Sequence, residues 1–381
     1  MINSAKYIFL FSILHLWCFN LFAIQSHIVN ITIIVTAENL SASDTIYIAG
    51  NHRLLGIWDP GTVNLVSNND GTWSKMISVA KDTELAFKFT RGSWAKEAVY
   101  QDYKIPPNHA LLASRDTLVR FHIPSWRDKI PFPETAYIRG KIIHHDSISG
   151  FNLKPRNLSV WLPPGYEADY ERRYPVLYMH DGQNIFDPLT SAFGLEWQVD
   201  ETADSLIRAE LIEPLIIVGI YNTIDRRHEY THSDTGRNYM KYIVGVVKPL
   251  IDSNYRTLPG REFTATAGSS LGALIAFMLL WEHSGIFSKA ACLSVPFKID
   301  YVDYLTYVKQ SPPPLQNIQI YIDNGELGID AELQPGIDQM LRILDQMKLN
   351  YSWCRVINAD HNETAWSKRV AKFLQLFYAR H

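Results

Sequence analysis

The stretch 263–274, FTATAGSSLGAL, constrains this chain more than any other. A short apolar and β-branched run, Phe263-Thr264-Ala265-Thr266-Ala267, meets Gly268-Ser269-Ser270-Leu271-Gly272, and the chain from Ala273 to Leu279 then reads as helix. A strand that breaks at G-x-S-x-G directly into a helix is a nucleophile elbow. The serine occupies a strained turn whose neighbours at two removes must lack bulk, which is the place of Gly268 and Gly272. Such a turn lifts the Ser270 hydroxyl above the end of a sheet. It also aims the following backbone N–H groups, and the positive end of the new helix, at the same point. Without the flanking strand and helix, the motif would mark only a Gly/Ser turn.

At 381 residues the chain has the length of two domains. Its net charge of −3 gives no basic field, so neither nucleic acid nor anionic lipid is an expected partner. Residues 1–23 read as a secretory signal: Lys6 supplies the charge, 7–22 the apolar run and Ala23 a small residue at the cut. His15 and Asn20 interrupt the run, which is short for a membrane span. The expected mature chain is therefore secreted or periplasmic, with no stable membrane span. Cys18 leaves with the leader. Cys292 and Cys354 lie far apart in apolar strand-like runs, and the expectation is buried thiols rather than a disulfide framework or a metal set. No cofactor and no metal is expected.

From 28 to 124 short alternating runs at 31–35, 45–49, 73–77, 85–89 and 117–121 are separated by turn signals such as Asn68-Asn69-Asp70-Gly71. This predicts a small all-β, immunoglobulin-like sandwich. Within it, Gly50-Asn51, Leu55-Gly56-Ile57-Trp58-Asp59-Pro60, Trp73, Phe87-Lys88-Phe89 and Ser93-Trp94 resemble the starch-binding type of carbohydrate-binding module, family 20 and its relatives. The resemblance implies a glucan platform made of Trp58, Lys88 and Trp94. Flat rings offer an apolar face to a pyranose, and a lysine donates to its hydroxyls. The chain departs from that family after Trp94, where Ala95-Lys96-Glu97-Ala98-Val99 replaces the usual ending.

A proline-punctuated stretch, 125–134, reads as a linker. From 135 to 381 strand-like runs (159–162, 174–179, 215–220, 263–267, 289–294, 318–322, 353–357) alternate with helical ones (201–210, 239–251, 273–283, 336–348, 365–378). That alternation predicts an α/β domain whose mostly parallel central sheet is covered on both faces.

Acyl transfer needs a nucleophile, a base, a group to orient the base, and donors for the oxyanion. The last strand-like run ends in Asn358-Ala359-Asp360-His361-Asn362-Glu363, which puts His361 where it could take the Ser270 proton. For the acid, Asp323, Glu326 and Asp330 all follow the run ending at Ile322, and spacing leaves the choice open. For the oxyanion, the run ending at Met179 leads into His180-Asp181-Gly182-Gln183-Asn184, so the N–H groups of Gln183 and Leu271 are the expected donors. His180 is expected to support the turn.

Leu177-Tyr178-Met179-His180-Asp181-Gly182-Gln183-Asn184-Ile185-Phe186-Asp187, Arg226 with Glu229-Tyr230, Tyr255-Arg256-Thr257-Leu258-Pro259, the elbow, Asp323-Asn324-Gly325 with Leu327-Gly328-Ile329-Asp330, and Ala359-Asp360-His361-Asn362-Glu363 with Trp366 occur here in one order. Together they resemble the α/β-hydrolase esterases that include carbohydrate esterase family 1, the enterochelin esterases, S-formylglutathione hydrolase and mycolyltransferases. The resemblance implies an α/β-hydrolase fold and a serine carboxylic-ester hydrolase with Ser270, His361 and Asp330 as triad. Glu326 stands where a related subgroup has Thr, so Asp323 is the reserve acid. Arg226 and Glu229 are expected to pair near the site mouth. The expected substrate is an acyl or feruloyl ester on a polysaccharide. A siderophore ester, an acyl transfer to sugar alcohols, or glycan binding on an inactive hydrolase scaffold are the alternatives.

Overall fold

The computed structural model describes residues 27–41, 43–101, 106, 108–129, 139–191, 194–299 and 301–380. The expected leader, 1–23, and the second half of the expected linker, 130–134, lie outside the described residues. The chain divides into two compact units.

The first unit holds the described residues up to Ser93 and Pro106–Ser125. One sheet has the order β3 (Val66–Ser67), β4 (Trp73–Ala80), β1 (Ile28–Ala37), β7 (Thr117–Ile123); the other runs β2 (Tyr47–Gly50), β5 (Thr83–Thr90), β6 (His109–Ala113). Along β1 the period of two is plain: Ile31, Ile33 and Val35 are fully buried while Asn30 and Thr36 face solvent. Phe87 and Phe89 of one sheet meet Phe121 of the other at ring-centroid distances of 5.6 and 5.2 Å, which closes the sandwich. Within the expected module, 28–124, one internal segment departs from the first unit. The described residues of 94–105 belong to the second unit, where Glu97 O accepts from Arg127 N at 2.9 Å and the two buried side-chain charges lie 3.7 Å apart. A long-range charge pair, invisible to strand periodicity, captures that segment.

The second unit is built on an eight-stranded sheet. Its order is β8 (Lys141–Gly150), β9 (Leu153–Leu162), β11 (Ile216–Ile220), β10 (Val176–His180), β12 (Thr264–Ser269), β13 (Lys289–Leu293), β14 (Gln319–Asn324), β15 (Tyr351–Arg355). β8 and β9 pair antiparallel and the six strands from β11 to β15 are parallel. Both faces are buried. In β10 Val176 and Tyr178 belong to one core, Leu177 and Met179 to the other. β10 has β11 on one side and β12 on the other, so strand order reverses beside it; open α/β sheets place their ligands at the carboxyl ends of strands at such a point.

Four helices matter to the site: α1 (Val199–Arg208), α2 (Leu271–Glu282), α3 (Ile329–Gln346) and α4 (Val370–Tyr378). α2 is apolar on every side and buried from Leu271 to Trp281. α3 starts seven residues before the expected 336 and runs through Pro335. Leu333, Ile337, Met340 and Leu344 anchor it in the core on either side of the proline, and tertiary packing overrides the local helix-breaking signal. The helix expected at 239–251 is interrupted by a π-turn, Ile243–Val247, ahead of Pro249, whose missing N–H cannot close a normal turn.

Candidate active site

Ser270 sits at the junction of β12 and α2 with φ 53° and ψ −130°, a conformation costly for any residue with a side chain. It persists because the surroundings fix it. Ser270 N donates to Leu293 O of β13 at 2.9 Å. A Cβ on Gly268 would lie 2.5 Å from the Gly272 backbone, and one on Gly272 would lie 3.0 Å from Asp181 Oδ2. The two glycines therefore allow the elbow to close on itself and on the turn after β10.

That turn, Gly182–Asn184, follows Asp181 in left-handed backbone at φ 59°. Gly182 packs on Gly219, whose carbonyl carbon would stand 2.2 Å from an added Cβ. Asp181 is clamped by Arg226 through Nε at 2.7 Å and Nη2 at 2.8 Å, and by Asn222 Nδ2 at 2.6 Å. Burial alone would raise its carboxyl pKa; the Arg226 charge and these hydrogen bonds hold it below the usual carboxylate range. The N–H groups of Gln183 and Leu271 donate to no acceptor among the described residues. The elbow and the turn bring both to the carboxyl end of the sheet.

The expected pairing of Arg226 with Glu229 does not form. Glu229 is fully buried against Arg156 of β9, with bonds of 2.6 and 2.9 Å, while Arg226 turns to Asp181. His180 is buried between Tyr239 Oη at 3.0 Å and Thr266 Oγ1 at 3.2 Å. Burial first, then the Arg226 and Arg156 charges, pull its pKa down to about 3 against Asp181. It is a neutral strut.

The three carboxylates that spacing could not separate take different partners. Asp330 lies in the first turn of α3, fully buried, and its Oδ1 is 2.6 Å from His361 Nδ1. Its Oδ2 accepts from Gly325 N at 2.8 Å and Ser294 Oγ at 3.0 Å. Asp323 faces Arg369 Nη1 at 2.7 Å and Tyr321 Oη at 2.9 Å; burial pushes its carboxyl up to about 6 against the Arg369 charge. Glu326 reaches Arg355 at 3.5 Å on the surface. His361 follows β15, nearly buried, with Trp366 edge-on at 4.9 Å.

Ser270, Asp330 and His361 all emerge from the carboxyl ends of parallel strands β12, β14 and β15. Ser270 Oγ makes no hydrogen bond among the described residues; a nucleophile–base contact commonly tightens only with substrate bound. Two residues escaped sequence reasoning. Ser294, in left-handed backbone at φ 50°, accepts from Trp366 Nε1 and Arg369 Nη1 at 3.1 and 3.3 Å and donates its own hydroxyl hydrogen bond to Asp330. Arg369, buried, takes Asp323. For Ser294 the available signal was a hydroxyl directly after β13; for Arg369 there was none.

In the first unit the turn Gly56-Ile57-Trp58 is left-handed throughout, and Trp58 N donates to Gly50 O at 2.8 Å. Gly50 adjoins Ala49, the ladder partner of Lys88, so Trp58 and Lys88 are held from neighbouring positions of β2; both are half-buried. Trp94 belongs to the second unit. Cys292 is buried and Cys354 half-buried; both are free thiols, and Lys372 Nζ stands 3.2 Å from Cys354 Sγ. Among the described residues no helix is long and apolar enough to cross a membrane.

Comparison with known proteins agrees with both halves. Residues 28–117 match the family model described as "Starch binding domain". A curated "Endo-1,4-beta-xylanase/feruloyl esterase" of Xylanibacter ruminicola is 25% identical over 182 residues, which is 44% of this chain and only a quarter of that protein. A solved ferulic acid esterase superposes with a TM-score of 0.54 at 21% identity, covering 63% of this chain and 98% of the other. The enterobactin esterase of Shigella flexneri superposes with a TM-score of 0.53 at 13% identity over 89% of each chain. At these identities the two superpositions establish the α/β-hydrolase fold. Residues 153–376, more than half of the chain, match the model described as "Putative esterase", and the chain belongs to that esterase family.

Proposed function

We propose that the protein is a serine esterase that hydrolyses acyl or feruloyl esters on a polysaccharide. The observation that carries this reading is the 2.6 Å contact between buried Asp330 and His361, at the same end of the sheet as the strained Ser270 elbow. Asp330 fixes the imidazole with Nδ1 as donor, which leaves Nε2 to take the Ser270 proton as Oγ attacks the ester carbonyl. The Gln183 and Leu271 N–H groups receive the oxyanion, each worth about 10²–10³ in turnover. His361 returns the proton to the leaving alcohol, and water then attacks the acyl-enzyme with His361 again as base. Every step uses side chains and amides of this chain.

The sugar side of the reading rests on the starch-binding module and on Trp58 and Lys88. Two consecutive non-glycine residues in left-handed backbone, Ile57 and Trp58, mark the turn as one whose strain is retained for what it presents. A panel of feruloylated and acetylated oligosaccharides, aryl esters and an enterobactin-type trilactone tests the reading. It predicts that the glycan esters rank above the trilactone and that Ser270→Ala cleaves none. Cleavage of the trilactone alone would reassign the substrate to a siderophore.

A further inference from the structure

Glu196, Asp200 and Glu201 bring carboxylate oxygens within 4.8 Å of one another where β10's loop returns to start α1. Three features set this cluster apart from a solvated acidic surface. Asp200 has no exposed surface at all. Its Oδ1 and the Oε2 of Glu201 are buried without any hydrogen-bond donor. And no Lys, Arg or His among the described residues forms an ion pair with any of the three, although a buried carboxylate ordinarily takes a cationic or hydrogen-bonded partner. Asp200 Oδ2 accepts from Arg139 N at 2.7 Å and Glu196 Oε2 from Gln198 N, so the buried oxygens of the cluster left without a donor are Asp200 Oδ1 and Glu201 Oε2.

We infer that Glu196, Asp200 and Glu201 form a binding site for a hard divalent cation, Ca²⁺ in the first place. Oxygen-only ligands, several of them carboxylate, with Glu196 and Glu201 half-exposed and able to leave room for water, are the donor set that Ca²⁺ takes in its flexible six- to eight-fold coordination.

The site is placed to brace the catalytic apparatus. Trp197 N donates to Asn184 O at 2.9 Å and Val199 N to Ile185 O at 3.2 Å, so the residues beside Glu196 and Asp200 hold the turn that carries the Gln183 N–H. Trp197 also packs on Trp366 at 5.6 Å, and Trp366 on His361. A cation that fixes the 196–201 segment thereby fixes both the oxyanion turn and the back of the imidazole. This role rests on the proposed esterase; the binding itself does not.

Full-length protein freed of metal with EDTA and titrated with Ca²⁺ by calorimetry, with thermal unfolding alongside, tests the inference. The expected result is one Ca²⁺ per chain and a rise in Tm of about 5 °C at saturation. Asp200→Asn and Glu201→Gln should each weaken binding at least about tenfold and abolish the Ca²⁺-dependent rise. Glu201→Gln, at a half-exposed position, serves if the Asp200 variant fails to fold. No heat and no Tm shift with millimolar Ca²⁺, Mg²⁺ or Mn²⁺ would show that the carboxyls share protons instead, and would overturn the inference. So would Ca²⁺ binding that both variants leave unchanged.

Discussion

His180 stands at the carboxyl end of the strand beside the elbow with almost no exposed surface, its ring nitrogens held by Tyr239 and Thr266. A histidine whose folded pKa is about 3 contributes stability that is fully present above its unfolded pKa of about 6.5 and is lost as pH falls toward 3. Urea unfolding of wild type between pH 7 and pH 4 should therefore lose up to about 3 kcal/mol relative to His180→Gln, which lacks the titrating group. At Asp330 the expectation is chemical. Asp330→Asn removes the acceptor that sets the His361 tautomer and should cut kcat by about 10⁴ with little change in KM, whereas Asp323→Asn should leave the chemistry largely intact. Ser270 and His361 were legible in the sequence because each ends a strand-like run with an unmistakable local motif. Spacing alone left Asp323, Glu326 and Asp330 open and the family resemblance pointed to Asp330; which carboxylate meets His361 depends on Arg369, 46 residues beyond Asp323, taking that aspartate. The Arg226–Glu229 expectation failed for the same reason. The pair was expected along with the family resemblance, and Arg156 from a distant strand took the glutamate.

Helix α3 carries Asp330 inward only because the helix begins at Ile329 and continues through Pro335. Read locally, the proline marks a boundary, and Asp330 falls in a loop. Tertiary packing of Leu333 and Ile337 decides otherwise. The turn Gly182–Asn184, proposed to hold the oxyanion, is the second element whose geometry is over-determined. Gly182→Ala would press a methyl group into the Gly219 backbone, since the added carbon would lie 2.2 Å from it. The expected cost is about 3 kcal/mol of stability, with turnover down by an order of magnitude or more as the Gln183 N–H moves. Chemical denaturation and kcat on a soluble aryl ester read the two effects separately.

Across the whole molecule the sequence analysis placed a β-sandwich ahead of an α/β-hydrolase, since periods of two and of 3.6 separate cleanly along the chain. It could not see that the described residues of 94–105 pack with the second unit, because a buried Arg127–Glu97 contact is not a periodic signal. If the first unit binds glucan through Trp58, Trp58→Ala should lose retardation in starch-containing gels while kcat/KM on a soluble aryl ester stays within twofold. The account as a whole rests on Ser270 as nucleophile. Its most direct test is intact and peptide mass spectrometry after treatment with a fluorophosphonate. One label per chain on the peptide holding Ser270, absent from Ser270→Ala together with ester hydrolysis, is the predicted result. Label on another residue, or undiminished hydrolysis by Ser270→Ala, would contradict it.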